Sequence, residues 1–214
     1  MSSDEAVGAP VGVEVSGVGL ASAVPDVVRL DVAVRCDAAD VAAALADAGT
    51  RAAALGDAAR DHGIEPGDVQ TSGGGVRPRH DREGVDVVGY TAHHGLRLAV
   101  RDPGRLGALV EAFTGVAGNA LSVERIALEV SDPAPLRAQA RQAAFEDALA
   151  KAQQYAALAG RTLGKVTALT DVVQGGAQPR YELMAARAGS AGALPVEPGE
   201  NTVTATVVVR WDWT

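Results

Sequence analysis

The chain predicts an α+β fold with a largely antiparallel sheet and three helices, in the order ββαββαβαββ. Three observations predict it. Strand-like and helix-like segments both occur, but the strands come mostly in pairs, which a parallel fold of strictly alternating strands and helices would not give. Pro25-Asp26 joins the first two strands, and a turn near DREG (81–84) closes a hairpin, a connection that antiparallel strands allow. The stretch NTVTATVVVRWDW sets Val203, Ala205, Val207, Val209, Trp211 and Trp213 on one face, and Thr202, Thr204, Thr206, Arg210 and Asp212 on the other. A period of two with one wet face marks a half-buried strand.

In chain order, residues 1–10 are expected to form a flexible tail ahead of a single domain over 11–214. VGVEVSGVGLAS (11–22) and VVRLDVAVR (27–35) read as strands, the second with Val28, Leu30, Val32 and Val34 opposed to Arg29, Asp31 and Arg35. Asp37 and Asp40 are candidate N-caps of a helix whose apolar stripe runs Val41, Leu45, Ala48, Ala52, Leu55, Ala59. Gly63 suits its left-handed end and Pro66 forbids continuation. DVQTSGGGVRPRH (68–80) and VDVVGYTAHHGLRLAVR (85–101) read as a hairpin. Asp102-Pro103 opens a second helix carrying Leu106, Leu109, Val110 and Phe113 and closed by Gly118. LSVERIALEV (121–130) is a strand whose alternation changes phase around Arg125, which predicts a bulge. The longest helix starts near Asp132-Pro133 and runs to Gly160. Its expected stripe is Leu136, Ala140, Ala144, Leu149, Ala152 and Tyr155 or Ala156, with Asp147 and Lys151 as an exposed i,i+4 pair. LGKVTALTDVV (163–173) is a further strand. Residues 174–200 have no period and many breakers, so a long loop is expected there, mobile or functional.

Composition excludes several classes. With 47% hydrophobic and 21% charged residues the chain is globular rather than disordered. Only 3% is aromatic, so the core must be built from Val, Leu and Ala. The net charge of −8 argues against nucleic acid, whose binding begins with a basic footprint. No run approaches the roughly 20 apolar residues that span a bilayer. Cys36 is the one cysteine, so no intrachain disulfide forms. The opening MSSDEAVGAPVGVEV lacks a basic segment followed by an apolar one; if Met1 is the native start, a cytoplasmic location is expected.

Four segments in order carry a family resemblance: VSGVGLASAVPDVVRLDVAV (15–34), GIEPGDVQTSGGGVRP (63–78), VGYTAHHGLRLAVRDPGRLGALVEA (88–112) and VEPGENTVTATVVVRW (196–211). The first is similar to a V-x-G-x-G…P-D opening and the second to a G-I-x-x-x-D-I-x-T-x entry into a strand. The third is similar to a G-Y-x-A strand followed by a short helix. Together they resemble the SIMPL domain, DUF541, over about Val11 to Trp213. The resemblance implies an α+β fold, self-assembly, and no agreed catalytic residues; most bacterial relatives are exported to the periplasm or envelope. The chain departs from the family at His93-His94, where small or amide residues, often Ser-Asn, are usual.

No catalytic, cofactor-binding or metal-ligating set emerges. Adjacent strand residues point to opposite faces, so His93 and His94 do not chelate one metal without a bulge; His62 and His80 lie elsewhere. GVGLAS (17–22) opens like a dinucleotide fingerprint, but Pro25 leads into a strand where the fingerprint needs a helix. TSGGGV (71–76) lacks the Lys-Ser/Thr of a phosphate loop, and its glycines fit a bulge or close backbone packing. Cys36, with no histidine near it in sequence, reads as a part-buried inert thiol. Arg77, Arg79 and Arg82 gather near the hairpin turn as a candidate contact for an anion or an acidic partner. Trp211 and Trp213 end the last strand and need cover, either from the chain's own helices or from a second copy, which makes them a candidate oligomer interface. The expectation is a non-enzymatic, self-associating homo-oligomer of structural or protective role. Its partners would be other copies of itself and an acidic or peptide ligand. The alternative is a small-ligand or peptide-binding module, with 174–200 as its lid.

Overall fold

The computed structural model describes residues 12–172 and 199–214. The expected tail, and all but the last two positions of the expected loop at 174–200, lie outside the described residues. The described elements are β1 (Gly12–Ala23), β2 (Val27–Ala38), α1 (Val41–Asp61), β3 (Val69–His80), β4 (Val87–Val100), α2 (Leu106–Ala117), β5 (Leu121–Glu129), α3 (Ala134–Leu158), β6 (Leu163–Asp171) and β7 (Asn201–Trp213). The order is ββαββαβαββ, as the sequence predicts. The strands form two antiparallel sheets, β1-β7-β6 and β3-β4-β2-β5, where periodicity alone suggested one. Within the span read as one domain, the described residues gather into two compact units. The first holds β1, α3, β6 and β7; the second is Pro25–Ser131.

In the first unit α3 lies on one face of the three-stranded sheet. Its buried line is Leu136, Ala140, Ala144, Ala148, Ala152 and Ala156, a strict step of four. The expected Leu149 is only part-buried and Tyr155 is 53% exposed. The strand beneath explains the preference for alanine. A Cβ placed on Gly17 would stand 2.6 Å from the Ala148 amide nitrogen and 2.7 Å from the Ala148 methyl. The helix therefore rests almost backbone to backbone on β1, and only small side chains fit the seam.

The pair expected on the surface of α3 does more than decorate it. Lys151 donates to Asp147 Oδ2 at 2.6 Å and to the Ser16 carbonyl at 3.1 Å, while the Val18 amide donates to the same Asp147 oxygen at 2.9 Å. β1 is an edge strand, and these bonds occupy outward backbone groups that would otherwise template another strand. The Lys151 ammonium, and next the Val18 amide, hold the Asp147 carboxyl below the usual aspartate value of 3.8. A lowered native pKa stabilises the fold above the unfolded-state value, and that stabilisation is lost as pH falls through the lowered one. Urea midpoints of the wild type should therefore exceed those of Asp147→Asn at neutral pH, and the two should converge below pH 3.8. A difference that stays constant with pH contradicts this role.

In the second unit α1 and α2 cover one face of the four-stranded sheet. Val28, Leu30, Val32, Val34 and Cys36 from β2 meet Ala92, Leu96, Leu98 and Val100 from β4 under Leu55, Leu106, Leu109 and Phe113. Asp40 caps α1 through the Ala43 amide at 2.8 Å, and Gly63 follows the helix at φ +78°. The stripe of α1 starts at Ala44 rather than Val41 and Leu45, which are 38% and 46% exposed. The helix keeps a step of four through Ala44, Ala48 and Ala52, and that line turns the two larger residues outward. The bulge expected near Arg125 is present: Asp31 pairs with Arg125 and Val32 with Val123, leaving Glu124 extra.

Candidate functional site: a charged trough and an uncharged sheet face

The face of the four-stranded sheet away from α1 and α2 is laced with ion pairs. Arg97 grips Asp31 with two bonds, at 2.7 and 3.3 Å; Arg29 meets Glu129 at 3.3 Å and Arg35 meets Glu124 at 3.1 Å. Asp37 is clamped from two strands, by Arg79 at 2.8 Å and by the Thr91 hydroxyl at 2.5 Å. The Asp31 carboxylate raises the pKa of Arg97, and Asp68 does the same for Arg101. Such exposed pairs fix side-chain positions more than they stabilise the fold.

One line across this sheet has no large side chain. Gly73, Gly95, Ala33 and Ser122 are register partners on β3, β4, β2 and β5. The register of β3 shifts between Thr71 and Gly73, which is the bulge expected among its glycines, and Ser72 is the extra residue. Its hydroxyl oxygen leans over Gly95, 2.5 Å from where a Cβ there would be. The His93 ring lies over Gly75, with its Cε1 3.0 Å from a Cβ placed there. The result is a trough of about 270 Å³ with Gly73, Gly95 and Ala33 in its floor and Arg35, Arg77, His93 and Glu124 around it.

The three arginines singled out in the sequence stand in different surroundings. Arg77 enters the trough, Arg79 is committed to Asp37, and Arg82 is exposed in the turn before β4. His93 is exposed on the charged face, while His94, opposite Val34, is half-buried on the core side. Among the described residues no three or more His, Cys, Asp or Glu side chains are placed to hold one metal ion. Cys36 is 3% exposed, and burial, with Asp47 beside it, pushes its thiol pKa up, as befits an inert core sulfur. Sequence reading missed Arg35, Ser72 and Glu124 as neighbours of Arg77. They come from three strands, and only the register and two bulges bring them together.

The first unit presents a different surface. On the side of its sheet away from α3, the register aligns Ser16–Val208–Thr170, Val18–Thr206, Leu20–Thr204 and Ser22–Thr202. None of these side chains is charged. Glu14 and Arg210, paired at 2.7 Å, lie at one end. Val18 and Leu20 are 49% and 63% exposed. Trp211 is on the opposite face, 2% exposed, with its ring 6.1 Å from Phe145 of α3. Its cover is the chain's own helix, the option the sequence left open beside a second copy. Trp213 is half-buried at the end of β7.

Residues 13–211 match the model of a family described as SIMPL, protein of unknown function (DUF541). The 26 kDa periplasmic immunogenic protein of Brucella melitensis is 25% identical over 215 aligned positions, covering 95% of this chain and 85% of that protein. Its namesake from Brucella abortus aligns with the same identity and coverage. The uncharacterized protein YggE of Edwardsiella ictaluri is 29% identical over 154 positions, covering 71% of this chain and 64% of its own length. Neither the family description nor these names assigns an enzymatic activity. No helix among the described residues is long and apolar enough to cross a membrane.

Proposed function

The chain belongs to the SIMPL (DUF541) family, and from that premise we propose that it is a non-enzymatic, self-associating protein of structural or protective role. The observation that carries this reading is the uncharged outer face of the three-stranded sheet, where Val18 and Leu20 are exposed among serines and threonines. Adjacent exposed apolar side chains on one uncharged sheet face suit an interaction surface. A second copy is the occupant that suits it. Among the described residues the charges nearest this face are paired within themselves, Glu14 with Arg210 at one end and Asp147 with Lys151 at the β1 edge, which leaves no net charge to select a charged partner. Two such faces packed about a twofold axis bury no unpaired charge.

Light scattering coupled to size exclusion tests the proposal. The wild type should elute as a multiple of the 21.7 kDa chain at micromolar concentration. Leu20→Asp, which places a carboxylate in the apposed face, should lower that mass while the circular dichroism spectrum stays native. A wild type at the mass of one chain across the micromolar range overturns the reading. So does an assembly that Leu20→Asp leaves intact.

For location, the names of the Brucella relatives favour the periplasm over the cytoplasm expected from the opening residues. We infer an envelope location on that ground. Osmotic-shock fractionation of the native cells should release the protein with periplasmic markers; retention with a cytoplasmic enzyme contradicts it.

A further inference from the structure

We propose that the trough of the four-stranded sheet is a binding site for a small oxyanion, a carboxylate or a phosphate group, with Arg77 as its principal ligand. The case begins with how the other arginines on this face are spent. On β2, β3 and β4, Arg29, Arg35, Arg79 and Arg97 each hold a carboxylate, whereas Arg77 has no carboxylate partner among the described residues. Arg77 is also the one of the five that lines the trough without a neutralising pair; Arg35 shares the trough with Glu124 already bound to it. Arg35 and Glu124 cancel, so Arg77 leaves the trough with a net positive charge on a chain whose total is −8. A guanidinium presents a planar fork that fits a carboxylate or phosphate edge.

The remaining geometry supplies what such a ligand needs. The Ser72 hydroxyl, held over Gly95 by the bulge, meets no carboxylate among the described residues and faces the same space as the His93 ring. Glycine at positions 73 and 95, with Ala33 beside them, keeps the floor low, so a ligand approaches the backbone of three strands. A volume of about 270 Å³ suits a molecule of metabolite size rather than a folded partner. Glu124 at the rim disfavours ligands of high negative charge density beyond the one group that Arg77 receives. This site lies within the second unit and is independent of self-association through the first.

The test is a titration of the full chain, followed by amide nitrogen–proton NMR, with sodium succinate and with inorganic phosphate, each against sodium chloride at equal ionic strength. The Gly73, Gly75 and Gly95 amides should shift and saturate with at least one of the two oxyanions and not with chloride. Saturation by succinate alone identifies a carboxylate ligand, and by phosphate alone a phosphorylated one; either supports the site. Arg77→Gln should weaken binding about tenfold, as loss of one charge-assisted contact requires. Arg82→Gln, in the turn outside the trough, should leave it unchanged and serves as the control for general electrostatics. Equal affinity in wild type and Arg77→Gln, equal weakening in Arg82→Gln, or shifts no larger than those with chloride each overturn the proposal.

Discussion

Trp211→Ala is expected to cost about 3–5 kcal/mol of folding stability, the range for removing a buried large aromatic, and to leave the mass of the assembly unchanged. The ring is 2% exposed among Val15, Val207 and Val209 and the alanine line of α3, and it stands tilted at 46° to Phe145. The fully buried neighbours in this cluster are valines and alanines, too small to fill the space it leaves. Leu20→Asp should behave in the opposite way, changing mass and not secondary structure. Urea denaturation followed by circular dichroism at fixed protein concentration, with light scattering on the same samples, separates the two. A Trp211→Ala protein of native stability and reduced mass would return the tryptophan to an intersubunit role.

Gly19→Ala should cost about 3 kcal/mol, the upper end of what overpacking a core does, or more, although it adds one methyl group. That carbon would lie 2.8 Å from the Ala143 carbonyl carbon, and nearer still to the Ala140 oxygen and the Ala144 nitrogen. All three are helix backbone, which cannot rotate aside as a side chain can. The seam between α3 and β1 would have to open along several turns. Gly49→Ala is the matched control. Gly49 sits in α1 with nothing within 4 Å of an added Cβ, so the same change there should stabilise by roughly 0.4–1 kcal/mol through loss of unfolded-state freedom. Urea midpoints should move in opposite directions for the two variants. A Gly19→Ala protein as stable as the wild type would mean that the helix does not rest on the strand as described.

Much of this architecture was legible in local pattern. The order of strands and helices was readable from local pattern, and Asp40, Gly63 and Gly118 marked helix ends by their own chemistry. The bulge opposite Asp31 announced itself as a change of phase. Where the reading of α1 and α3 slipped, it followed size: Val41, Leu45, Leu149 and Tyr155 were favoured because they are large. In α3 the structure buries alanines in their place, because the glycines of β1 admit a helix only when its contact line is small; in α1 the step of four through Ala44, Ala48 and Ala52 turns Val41 and Leu45 outward. Gly17 and Gly19 of GVGLAS stand where the α3 backbone makes that approach.

The sequence by itself determined the order of elements, the family and the faces of single strands, because each depends on residues a few positions apart. Only the tertiary structure decided that the strands divide into two sheets, that Trp211 is roofed by α3, and that Arg77 stands beside Ser72, His93 and Arg35 with no carboxylate partner among the described residues. Those outcomes rest on pairings between residues tens to nearly two hundred positions apart, where register sets the neighbours. A strand's alternation says which way a side chain points, but not which strand lies beside it. One extra residue in a bulge shifts every later pairing on that strand by one.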